Sequence, residues 1–213
     1  MEGNEYRMRI PPVITLDYPE PWFPVPLEPD TDLDSWARPH AERLIEETAQ
    51  AGEDFSRGFT GNPDRIAREM ASRAEGYRGR DLALAFLCYP PGMDSSDVGL
   101  EVMTIYPEEG DPEPTLEWFA DICTVRELGE PHIQHADLPA GPAVRLRQNY
   151  FGEKRSWFGG RPVIRSLIYG IRPPGRTDLV TATALWREPV IDDVIEQWTD
   201  QMLETLRVTE PTI

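Results

Sequence analysis

A chain of 213 residues, 39% apolar and 28% charged, has the size and composition of one globular domain that can bury a core without metal or disulfide staples. Its formal net charge of −17 argues against nucleic acid or an anionic membrane as the main partner, because most of the surface repels phosphate. No apolar stretch is long enough to span a membrane and MEGNEYRMRIPP lacks the apolar segment of a secretory signal, so a cytoplasmic protein without membrane insertion is expected.

Residues 1–33 are expected to form an extended, proline-rich arm with a first strand, and residues 34–213 a single α+β domain. The run YPEPWFPVPLEPDT at 18–31 blocks helix and central strand with its prolines, while Trp22 and Phe23 give the arm something to pack, on its own domain or, as a docking segment, on another protein. A helix is expected over Ser35–Gln50, with Trp36, His40, Ala41, Leu44, Ile45 and Thr48 at helical spacing and Pro39 near its start. A second helix follows, with Asn62 as cap, Pro63 in first position, Ile66, Ala67 and Met70 as its stripe, and Gly76 as its end.

The β region then begins. Leu82–Tyr89 is apolar on both faces and predicts a central strand covered on both sides. Val98–Tyr106 alternates as a one-sided strand, and Thr115–Val125 predicts a short helix with Leu116, Phe119 and Ala120 inward. Strands are expected at 130–137, Ala143–Tyr150, Pro162–Arg172 and Asp178–Trp186, joined by short Pro- and Gly-containing turns, hence an antiparallel meander. Alternation in the second of these puts Val144, Leu146 and Tyr150 on one face and Arg145 and Arg147, exposed, on the other. The last helix, about Pro189–Leu206, has a stripe of Ile191, Val194, Ile195, Trp198, Met202 and Leu206, with Trp198 as the expected core anchor. Asp192, Asp193, Glu196, Asp200 and Glu204 should form its acidic outer face.

Charge is segregated along the chain. Residues 138–177 hold eight basic residues and one acid, a net +7, whereas 1–78, 79–137 and 178–213 carry −7, −11 and −6. The candidate partner-binding set is Arg145, Arg147, Lys154, Arg155, Trp157, Phe158 and Arg161, because arginine beside exposed aromatics is the composition of interface hot spots. Such a surface would attract a protein partner with an acidic patch; the alternative is that these arginines pair with the chain's own acids.

Catalytic signatures are lacking: the sequence has no GxSxG, no HExxH and no phosphate loop. His132 and His135, three apart on a strand, should point to opposite faces, so no metal or other cofactor is expected there. Cys88 reads as a buried thiol, Cys123 as a packing residue and His40 as a partly buried packing residue. Twenty arginines against one lysine fit a high-GC, actinobacterial type of genome.

The order of elements, the turn-strand LPAGPAVRLR and the passage LVTATALWREPVIDD resemble the Mog1/PsbP-like α/β/α sandwich, over about Val13 to Leu206. The resemblance implies helices on both faces of a twisted antiparallel sheet and a non-catalytic role as adaptor, chaperone or assembly subunit, by fold-level analogy. Two alternatives stand beside it: an acidic, immunity-type inhibitor of a basic toxin, and a small-ligand-binding or hydrolytic enzyme with a cupped-sheet pocket. Nothing in the sequence specifies the oligomeric state.

Overall fold

The computed structural model describes residues 11–52, 59–93, 95–107, 110, 112–154 and 160–211. Strands β1 (Val13–Thr15) and β2 (Trp22–Pro24) lead into helices α1 (Leu33–Ala51) and α2 (Pro63–Glu75). Strands β3 (Leu84–Cys88) and β4 (Val98–Ile105), helix α3 (Leu116–Cys123), and strands β5 (His132–Leu138), β6 (Gly141–Phe151), β7 (Val163–Ile171) and β8 (Leu179–Trp186) follow. A single 3-10 turn at Pro189–Ile191 opens helix α4 (Asp192–Thr205), and β9 (Arg207–Thr209) closes the chain.

Seven strands form one sheet in the order β2-β3-β4-β8-β7-β6-β5, every neighbouring pair antiparallel. The fold is α+β, with helices on both faces. On one face α4 and the two-stranded β1–β9 ladder cover a core containing Ile14, Trp22, Phe86, Leu100, Ala182 and Trp186. On the other, α1 and α2 pack over Phe23, Ala85 and Leu87 at the β2–β3 end, while α3 seats Phe119 on Val144 and Leu179 at the far end.

Local signals explain most boundaries. The Asp32 carboxylate caps α1 by accepting from the backbone N–H groups of Asp34 and Ser35, and Asn62 caps α2 by accepting from that of Arg65. Pro39 lies inside α1, in its second turn, where it removes one helical bond. His40 is half-buried, its ring 5.1 Å from those of Phe23 and Trp36. The arm wraps its own domain: Trp22 and Phe23 are fully buried and β2 edges the sheet.

Leu82–Tyr89 does not lie at the centre. The strand it forms is second from the edge, and β8 is the middle strand. A two-sided apolar run reports that both faces are covered, and they are: Phe86 and Cys88 point toward the α4 side, Ala85 and Leu87 toward α1 and α2. It carries no information on strand order.

The turn Leu138-Pro139-Ala140-Gly141 joins β5 to β6 with Gly141 at φ +133°, and a side chain there would collide with the Arg172 carbonyl oxygen. Gly141→Ala is therefore expected to cost more than about 1 kcal/mol, read as a lower urea midpoint at unchanged slope. An unchanged midpoint would show that the turn relaxes freely.

Candidate functional site

Strands β6 and β7 place Arg145, Arg147 and Arg165 on the same face of the sheet as α4, since alternate side chains share a face and Arg147 pairs in register with Leu167. The sequence reading correctly separated Arg145 and Arg147 from Val144 and Leu146, but the two arginines are not exposed. Their side chains retain 13% and 14% of their accessible surface, and that of Arg165 retains 17%. Three acids at four-residue spacing on α4, Asp192, Glu196 and Asp200, meet them.

Arg145 donates to Glu196 at 2.8 Å and to both Asp200 oxygens at 3.2 Å. Arg147 donates to Glu196 at 2.6 Å and Asp192 at 3.2 Å, and Arg165 donates to Asp192 at 3.1 Å. Aromatic groups complete the network. The Tyr169 hydroxyl donates to Asp200 at 2.6 Å and Trp186 Nε1 to Asp192 at 2.5 Å, while the Arg147 guanidinium lies 4.8 Å from the centre of the Trp186 ring. The acidic face expected to point outward on α4 is thus divided. Asp193 and Glu204 are exposed, whereas Asp192, Glu196 and Asp200 are turned onto the sheet.

The remaining described arginines of the basic segment are also engaged. Arg161 donates to the carbonyls of Phe151 and Gly152 and pairs with Glu127 at 3.5 Å. Arg172 reaches Glu113 and the Pro114 carbonyl, and Arg176 clasps the buried Asp178 at 2.9 Å and also bonds Glu210. Lys154 is exposed. Arg155, Trp157 and Phe158 lie outside the described residues. The structure therefore brings Arg145 and Arg147 together on β6, against α4, and places Lys154 and Arg161 elsewhere, beside the β6–β7 connection.

Glu196 shows how the network works. Burial alone would push its carboxyl up, but the hydrogen bonds from Arg145 and Arg147 outweigh that and hold it below the ordinary value of 4.5. A carboxyl depressed in the folded state stabilises fully above its unfolded value, and that contribution is lost as pH falls through the folded value. Wild type should accordingly lose stability below about pH 4.5, and Glu196→Gln, already lacking the charge, should lose less over the same interval. Parallel pH–stability curves for the two proteins would show that the pairing is not formed.

Groups able to do chemistry are dispersed. His132 pairs in register with Arg147 and His135 with Val144, so the two imidazoles lie on opposite faces. Cys88 is buried and Cys123 half-buried, and burial pushes both thiols up, away from the reactive thiolate. Among the described residues, no group of three or more His, Cys, Asp or Glu side chains is placed to hold a metal ion, and no helix is long and apolar enough to cross a membrane.

What faces outward is acidic, with apolar spots. Between α2 and α3 the sheet is only half-covered at Met103, Thr183, Leu185 and Ile164. A cavity of about 340 Å³ at one end is lined by Ile105, Trp118 and three prolines, and one of about 360 Å³ at the other by Tyr150, Ile164 and Leu185 among others. Neither is lined by His132, His135 or Cys123. Trp118, Ile122, Leu128 and Ile133 are exposed on α3, its following loop and β5. Comparison of the chain with family models finds no match, and comparison with curated proteins finds none.

Proposed function

We propose that this protein is a non-catalytic protein-binding subunit, an adaptor or assembly factor, whose partner presents a basic surface. One observation carries the reading: the arginines at 145, 147, 161, 165, 172 and 176 are engaged by the chain's own acids and carbonyls, which leaves Lys154 as the cation without such a partner among the described residues of that segment. With a net charge of −17, the surface steers a cationic partner and repels an acidic one. The sandwich of helices on both faces of an antiparallel sheet fits the Mog1/PsbP-like resemblance, whose members mostly bind other proteins. The same surface supports a second reading, an acidic inhibitor that neutralises a basic toxin.

The test is affinity capture with the full chain, elution in salt steps, and cross-linking of the captured complex. Captured proteins should be basic, release as salt rises, and cross-link to acids of this chain. Acidic proteins cross-linked at Lys154 and Arg161 would reject this reading and restore the basic hairpin as the partner surface. Neither the adaptor nor the inhibitor reading survives turnover of a substrate in the purified protein.

A further inference from the structure

The two edges of the sheet differ. At one, β2 is three residues long and ends at Pro24, the short, proline-marked form that resists further pairing. At the other, β5 runs for seven residues in unbroken register with β6, without lysine, proline or bulge inside it. Residues 132–135 and Asp137 are exposed.

The direction of its backbone groups follows from two hydrogen bonds on β6. The Pro142 carbonyl accepts from Arg172 N–H and Gly152 N–H donates to the Pro162 carbonyl, so even-numbered residues of β6 point toward β7. Odd-numbered residues of β6 therefore pair with β5. Through the register Ala143–Ala136, Arg145–Gln134 and Arg147–His132, the even residues of β5 point inward. Ile133, His135 and Asp137 are left with N–H and C=O groups aimed away from the sheet. Among the described residues no hydrogen bond reaches those groups from another element.

Chemistry around the edge selects the occupant. The side chains of Ile133, His135 and Asp137 lie on the α3 face, because Ile133 pairs with Leu146 and His135 with Val144. Glu117 on α3 stands within electrostatic reach of His135, and Asp121 is exposed one turn further on. Glu113, Glu127 and Glu130 are taken by Arg172, Arg161 and Arg126, whereas among the described residues no ion pair reaches Glu117, Asp121 or Asp137. A second copy pairing edge to edge would set these acids against themselves, whereas a cationic segment would neutralise them.

We propose that the β5 edge takes an extended, basic segment of a partner protein as an eighth, antiparallel or parallel strand. Backbone groups of Ile133, His135 and Asp137 supply the hydrogen bonds, an apolar side chain of the segment covers Ile133, and cationic ones meet Asp137 and Glu117. The inference rests on the basic-partner reading above and assigns it a place.

The probe is a synthetic peptide, long enough to pair along β5, whose alternate positions carry one valine and two lysines on one face and threonine on the other, with glutamate in place of lysine as control. The lysine peptide should slow amide exchange at Ile133, His135 and Asp137 and bind less tightly as salt rises. His135→Pro removes an outward N–H and leaves the β5–β6 ladder intact, so it should weaken binding about tenfold with an unchanged melting temperature. Asp137→Lys, on an exposed side chain, should weaken binding about as much and guards against misfolding of the proline variant. No binding at millimolar lysine peptide overturns the inference. So does binding that maps to another acidic surface and survives both variants, although the basic-partner reading then stands. Preference for the glutamate peptide sinks both, and a dimer joined through β5 in sedimentation and exchange measurements makes a second copy the occupant instead.

Discussion

Trp186→Ala is expected to destabilise the protein by about 3–5 kcal/mol, the cost of removing a large aromatic from a packed core. The side chain is 1% exposed at the end of the central strand β8, within the main core. Its loss opens a cavity, deprives Asp192 of an indole donor at 2.5 Å, and removes the ring beneath the Arg147 guanidinium. Trp198, the anchor expected from the sequence, is only half-buried on the flank of α4, so Trp198→Ala should cost less, about 1–2 kcal/mol. Urea unfolding of the two variants ranks them directly. A larger loss for Trp198→Ala would mean that α4 is rotated from the orientation described.

The second large effect is expected at Arg145. Its guanidinium is shared between Glu196 and Asp200, and it also donates to the Tyr169 hydroxyl at 3.1 Å. Removal leaves two carboxylates close together and partly shielded from water, which is worse than lacking the pair altogether. Arg145→Ala should cost about 2–4 kcal/mol, below the range for fully buried pairs because the acids keep some contact with solvent. Added salt should recover part of the loss by screening Glu196 from Asp200. A variant within about 0.5 kcal/mol of wild type would place the guanidinium in solvent, as strand alternation alone predicts.

Element boundaries and strand faces were legible because they rest on local signals: Asn62 with Pro63, the Leu138–Gly141 turn, and the alternation of Val144 and Leu146 with the arginines. The acids of α4 depart from the expected outward face for a physical reason. Amphipathic analysis sends charge to water and apolar groups inward, and here a sheet face bearing Arg145, Arg147 and Arg165 draws Asp192, Glu196 and Asp200 toward it. The buried stripe keeps Ile191, Ile195, Met202 and Leu206 as expected and adds Thr199 and Leu203, with Val194 and Trp198 at its flank. A signal existed: acids at four-residue spacing on a helix, and arginines on alternate positions of a strand. Strand β9 carried none, since Arg207–Thr209 is defined only by its pairing with Val13–Thr15 at the other end of the chain. The open β5 edge was equally silent, because strand order depends on which neighbours arrive and not on the strand itself.

Three arginines of the basic segment, Arg145, Arg147 and Arg165, are internal and clamped by α4, which takes them out of the surface available to a partner. A double-mutant cycle on Arg147 and Glu196, paired at 2.6 Å, tests this clamp most directly. Arg147→Ala, Glu196→Ala and the double variant should unfold with a coupling energy of about 1–3 kcal/mol, because each partner loses much of its value without the other. Additivity within about 0.5 kcal/mol would contradict the clamp and return these arginines to the surface as candidates for a partner.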